Sequence, residues 1–264
     1  MSDIANSSVS TEQSKHGMSF ANAPFGEIRD ANTNSKWSQG NDTSNDPSLL
    51  GSGSDYTVFL DHFGIPCIDF DFGKKAAYGQ YHSIYDSFTW MDLFGGTDGE
   101  PGSSFDLMAL SAKIWGVLAI RLASSPLVLL DHNAQGLALS KYVEAIRSKC
   151  VLDTADLANA VERYRKAAAQ LQIYCRTLST GQDNDECNEK LGMVEREFLT
   201  EMGLPRRPWF RHILQAPGLD LGYAAEAFPG IQQALDDDDL KLAQEQLSVA
   251  TERILSAARF LELN

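Results

Sequence analysis

The chain has 264 residues, a formal net charge of −14 and a pI near 4.7. That length allows one or two domains with a sizeable core. The acidity, with no basic stripe to oppose it, excludes a nucleic-acid partner and favours solubility.

The first 48 residues are rich in Ser, Asn, Asp and Gly and poor in aliphatics. Such a segment buries too little apolar surface to offset the entropy of ordering, and it is expected to be disordered. It has neither the basic flank nor the apolar core of a secretory signal. Asn6 and Asn41 sit in glycosylation sequons of the kind that arise by chance in such a tail.

Ser54 or Asp55 is placed to cap a short helix running to about Phe63, with Gly64 as its stop. Ile65–Phe72 alternates apolar and polar residues, which predicts a strand. The loop that follows carries Tyr81-His82-Ser83-Ile84-Tyr85-Asp86. A neutral imidazole such as that of His82 can ligate zinc, and a neighbouring phenol such as Tyr81 can stabilise an oxyanion. A hydrolytic zinc site needs three or more protein ligands and a base, and the remainder of one is not legible here.

Gly95–Ser104 is turn chemistry. Phe105–Ala123 is apolar on most faces, which predicts a helix buried against a sheet or another domain. Asp106, Lys113 and Arg121, together with its marginal length, argue against a membrane span, and no transmembrane helix is expected.

The remainder reads as helices. Asn133–Lys149 is moderately amphipathic. In Thr154–Ser179 the apolar positions Leu157, Val161, Tyr164, Ala168, Leu171, Cys175 and Leu178 alternate steps of four and three, a heptad seam, with Gly181 as its end. Asp185–Met202 continues with Leu191, Val194 and Phe198 on one face. Asp237–Leu261 repeats the seam at Leu240, Ala243, Leu247, Ala250, Ile254, Ala257 and Leu261, and the acids Asp236–Asp239 suit the positive end of its dipole.

The four cysteines, Cys67, Cys150, Cys175 and Cys187, form no close Cys-x-x-Cys pair. Cys175 and Cys187 flank a helix–helix turn and would pair in a secreted protein. The favoured expectation is free thiols packed as small hydrophobes.

Long seams joined by short turns make an antiparallel helical bundle. The fold class is therefore α+β and mostly α, with a small α/β part over residues 49–125 and a helical part over 126–264. Both seams suit a monomer core, and an oligomer interface is the second use open to them.

Six segments, in order, extend this reading: Gly51–Asp55 (GSGSD), Phe63–Ile65 (FGI), Tyr81–Asp86 (YHSIYD), Gly203–Pro208 (GLPRRP), Trp209–Pro217 (WFRHILQAP) and Phe228–Ile231 (FPGI). Together they resemble the C-terminal part of glutamate carboxypeptidase and transferrin receptor relatives. The resemblance runs from about Leu49 to the C-terminus. It implies the last part of an α/β zinc-peptidase domain, followed by a helical dimerisation domain.

For the site, the resemblance implies that His82 is one zinc ligand and that Tyr81 donates to the tetrahedral intermediate. Gly53 and Ser54 would contact substrate, as would Tyr223. The other ligands of the two zinc ions and the general base lie earlier in the family sequence. His16, Glu27 and Asp30 match none of them. An incomplete ligand set cannot hold a catalytic zinc, so the chain alone is expected to be inactive. Gly222 stands where glutamate-cleaving members carry a Lys, and Asp69 and Asp71 replace their arginine patch. Acidic dipeptides are accordingly disfavoured, and a peptide substrate is expected only if the missing half is present. The implied partner is a second copy of the chain or a full-length homologue. The family is often membrane-anchored, but nothing in this sequence fixes a compartment.

Overall fold

The computed structural model describes residues 49–70, 79–94, 105–149, 152–178, 184–220 and 224–263. The polar tail, the Gly95–Ser104 turn, Asp71, Gly181, Gly222 and Tyr223 lie outside them. In chain order the described elements are a π-helical turn (Val58–His62), α1 (Phe88–Phe94), α2 (Phe105–Ser124), α3 (His132–Lys149), α4 (Ala155–Thr177) and α5 (Asp185–Met193). A 3-10 turn (Val194–Phe198), β1 (Gln215–Pro217), β2 (Ala225–Ala227), α6 (Pro229–Asp236) and α7 (Leu240–Leu261) follow. The protein is mostly helical, with one small antiparallel sheet among the described residues.

The described residues divide into two compact units. One lies within Phe70–Ile120, and the other combines the segment up to Asp69 with Arg121 onward. The second unit holds the main core. On α4, Leu157, Val161, Tyr164, Ala168, Leu171 and Cys175 are all buried. On α7 the buried set is Ala243, Leu247, Ala250, Ile254, Ala257 and Leu261. The two seams meet in one core because α4 packs against α7, with α3 against α4 and α6 against α7. Heptad spacing keeps one apolar stripe on one side of each helix, and each stripe covers the other. The seams are thus interior to the chain. Leu240 departs from its expected place and is 51% exposed.

Several boundaries differ from the sequence reading. Helix α4 stops at Thr177, where Leu178 turns extended at ψ 130°, before Gly181 is reached. The helix expected over Asp185–Met202 tightens into 3-10 geometry at Val194 and ends at Phe198. The four acids are divided: Asp236 closes α6, Asp238 takes φ +56°, and only Asp239 caps α7, accepting from Leu242 N at 2.9 Å.

Of the strand expected over Ile65–Phe72, Asp71 and Phe72 lie outside the described residues, and within Ile65–Phe70 only Asp69 is in a bridge. The sheet instead comes from a segment without such alternation. β1 and β2 pair antiparallel with Gln215 opposite Ala227, Ala216 opposite Glu226 and Pro217 opposite Ala225. The short helix ending at Gly64 is present, but no side chain caps it. Thr57 bonds instead to the main-chain carbonyl of Ser54, from N at 3.1 Å and from Oγ1 at 2.8 Å. Gly64 takes φ +62° and lies so close to Arg196 that a Cβ would stand 2.9 Å from its Cα.

Two further corrections bear on function. Cys175 and Cys187 are joined as a disulfide with Cα atoms 6.0 Å apart, where free thiols were favoured. That Cα separation lies within the usual range for a disulfide. Helix α2 was expected to be buried, yet none of its residues is. With mean hydropathy 1.5 it also qualifies as a membrane span by length and composition alone, contrary to the expectation that no segment would. In its unit, ring contacts join Phe70 to Trp115 at 4.8 Å and Phe88 to Phe105 at 5.5 Å.

Candidate functional site

The Gly51–Asp55 loop enters the π-helical turn through Gly53, whose φ of +103° favours glycine. Gly53 and Ser54 are exposed, and the Tyr56 hydroxyl donates to the Ser52 carbonyl at 3.3 Å. The second sequence-predicted segment is a tight turn built on Ser83. Its hydroxyl donates to the Gln80 carbonyl at 2.8 Å and accepts from Tyr85 N at 3.1 Å, while its own N–H donates to the Gln80 carbonyl at 3.0 Å.

That turn forces His82 into the left-handed region at φ +60°, an uncommon place for a β-substituted residue. The Tyr81 and His82 rings stack with centroids 3.8 Å apart, and both side chains are exposed. Gly53 and Ser54 belong to one unit, and Tyr81 and His82 to the other. Among the described residues no three His, Cys, Asp or Glu side chains stand together as a metal-binding group. Zinc takes at least three protein ligands, so the described residues do not fit it.

Sequence reasoning missed the polar interior of the helical unit. Glu195, on the 3-10 turn, accepts from Gln135 Nε2 at 3.1 Å and faces His212 Nε2 at 2.7 Å. Gln135 Oε1 in turn accepts from the Tyr164 hydroxyl and lies 3.1 Å from His132 Nδ1. The other His132 nitrogen is 2.7 Å from the Leu191 carbonyl. All five side chains are buried, so α3, α4, the 3-10 turn and the segment before β1 are tied together where no water competes. Burial, with the Glu195 carboxylate nearby, pushes the Tyr164 hydroxyl well above its ordinary range. The available signal was placement: Glu195 lies between Val194 and Phe198 on an apolar face, and His212 sits in the run Trp209–Leu214.

A second polar group adjoins it. Asp61, at the π-helical turn, is fully buried, and its main-chain carbonyl accepts from Arg211 N at 2.8 Å and His212 N at 3.1 Å. Burial raises its carboxyl from 3.8 to about 8, against the opposing pull of Arg207. Burial also lowers Arg207, which donates to the Pro217 carbonyl, and it raises Glu226 on β2. His62 stacks on Trp209 at 5.1 Å and pairs through Nδ1 with the Trp209 carbonyl at 2.8 Å.

Residues 152–262 match the transferrin receptor-like dimerisation domain. The chain is similar to a probable glutamate carboxypeptidase, LAMP1, of Arabidopsis thaliana: 32% identical over 192 residues, covering 72% of this chain and 27% of that protein. It is 30% identical over 226 residues to a probable glutamate carboxypeptidase of Arthroderma benhamiae, covering 81% of this chain and 30% of the relative. An inactive zinc metalloprotease of Schizosaccharomyces pombe is 25% identical over 230 residues, covering 78% and 28% respectively. The chain thus spans 27–30% of the length of these relatives.

Proposed function

From a chain that carries a transferrin receptor-like dimerisation domain and is homologous to the glutamate carboxypeptidases over part of their length, we propose a dimerising, catalytically incomplete member of that zinc-peptidase family. In this reading residues 126–264 are the dimerisation domain and residues 49–125 the end of a peptidase-like domain. The partner is a second copy or a full-length homologue, docked through the helical domain. The observation that carries the reading is the match over residues 152–262, which covers most of the main core of the described structure. Because the two seams are already buried against each other, the contact would use outer faces of the bundle.

The test is sedimentation of the purified chain at micromolar concentration, together with zinc content and peptidase assays. A concentration-dependent dimer with neither stoichiometric zinc nor peptide turnover is expected. A sharp monomer at every concentration would remove the dimerising role, and turnover with bound zinc would overturn the catalytic incompleteness.

A second reading has its own support. His82 is strained and exposed beside Tyr81, and strain of this kind gathers at functional positions. In a longer polypeptide that supplies the remaining ligands and base, His82 would hold zinc and Tyr81 would stabilise the oxyanion. Gly53, Ser54 and Tyr223 would then line the substrate site. In that longer polypeptide, His82→Ala should lower zinc content, while Tyr81→Phe should lower turnover alone.

A further inference from the structure

We infer that the helical domain is completed by oxidation: the Cys175–Cys187 disulfide fastens α5 to α4, and the chain matures in a compartment where thiols are oxidised. The two sulfurs lie in the main core, with Cys175 2% and Cys187 1% exposed. As packing, two free thiols would serve, because cysteine behaves as a small hydrophobe. The bond adds a closed covalent loop between residues twelve apart in sequence. Such bonds persist in oxidising compartments and are removed in reducing ones.

Helix α5 is the element that needs a fastening. It has only nine residues, and its N-cap residue, Asn184, makes no side-chain capping bond. Helices this short are not stable by themselves. Two side chains help to dock it. Asn188 accepts from Val128 N at 2.8 Å and donates to the Pro126 carbonyl at 3.0 Å, while Lys190 donates to the carbonyls of Phe260 at 2.9 Å and Glu262 at 2.8 Å. Those bonds are exposed or half-buried; on the buried side the disulfide acts beside Leu191, whose carbonyl meets His132 at 2.7 Å. Helix α5 runs directly into the 3-10 turn that carries Glu195 to Gln135 and His212. A loosened α5 would therefore loosen the buried polar cluster.

The chemistry balances with a protein disulfide as the oxidant. Cys175 and Cys187 each give up one hydrogen, the S–S bond forms, and two electrons and two protons pass to a disulfide of an oxidoreductase, which leaves as a dithiol. Cys67 is a poor competitor for exchange. It is half-buried, its Sγ bonds to the Ile65 carbonyl at 3.2 Å, and burial pushes its thiol up to about 11.

The experiment takes the full chain from its own cells with thiols trapped in acid, then alkylates it under denaturing conditions without reductant. Peptide mapping should find Cys67 alkylated and Cys175 linked to Cys187. Alkylated Cys175 and Cys187 would overturn the inference. In the second arm the purified oxidised chain is reduced, and hydrogen exchange is followed. Exchange in Asp185–Phe198 should rise by about tenfold or more while the middle of α7 stays protected. Unchanged exchange with the bond verifiably broken would show that it fastens nothing, and would equally overturn the inference.

Discussion

His212 Nε2 lies 2.7 Å from Glu195 Oε1, and neither side chain reaches solvent. The same carboxylate accepts from Gln135, so one buried acid joins the segment before β1 to α3. Removing it leaves two polar groups without a partner in a dry interior. Glu195→Ala should cost about 3–5 kcal/mol in urea unfolding, more than the roughly 1–3 kcal/mol expected for Gln135→Ala, which removes a neutral amide and not one side of the His212–Glu195 pair.

Asp61 makes stability depend on pH. Its carboxyl is raised from 3.8 in the unfolded chain to about 8 in the fold, so between these values the folded state binds the extra proton. Stability contributed by the protonated form is therefore present in acid and is lost as pH rises through about 8. Asp61→Asn keeps a neutral group of the same shape. Its advantage over the wild type should grow from pH 4 to pH 8, by up to about 1.4 kcal/mol per pH unit, and then level off. Urea titrations at several pH values would measure it, and an advantage that shrinks with pH would refute the assignment.

Two glycines should respond oppositely to alanine. Gly203 takes φ +66°, and a Cβ there would stand 2.1 Å from the Pro208 carbonyl oxygen, so Gly203→Ala should lose about 2–4 kcal/mol. A Cβ on Gly116 meets nothing within 4 Å, and the residue lies inside α2. Gly116→Ala should raise helix content slightly, worth about 0.5–1 kcal/mol. Thermal melts followed by circular dichroism distinguish the pair.

Leu171 is 1% exposed at the α4–α7 contact. Leu171→Glu would bury a charge with no partner and should unfold the helical unit outright, a loss above about 4 kcal/mol. Loss of the helical signal is the expected reading. A folded protein that had changed only its association state would place Leu171 at an interface between copies.

The seams were legible in the sequence because a repeat of four and three steps needs only the helix period to be read, and the residues from Leu157 to Cys175 turned inward together. What the sequence withheld depends on neighbours. Ile65–Phe70 alternates like a strand but holds only the bridge residue Asp69, while Gln215–Pro217 forms a strand because Ala225–Ala227 returns beside it. The disulfide escapes the sequence for the same reason, since the separation of Cys175 and Cys187 depends on how α4 and α5 pack and not on either residue. Nothing in the sequence marks Glu195 as buried, because charge is usually solvated and only packing shows the exception. Of the candidate site, Tyr81 and His82 stand side by side as their adjacency requires, and Tyr223 lies outside the described residues.

Helix α2 gives the chain the character of a charged colloid. A 20-residue apolar helix with no buried residue is an adhesive surface, and a formal charge of −14 opposes contact between two such surfaces in water. Mutual repulsion of this kind is short-ranged and fails as salt screens it, while apolar attraction grows stronger. Light scattering from the purified chain should therefore rise steeply with added sulfate. Charged substitutions on α2, such as Ile120→Lys with Val117→Glu, should delay that rise without moving the melting temperature of the α4–α7 core.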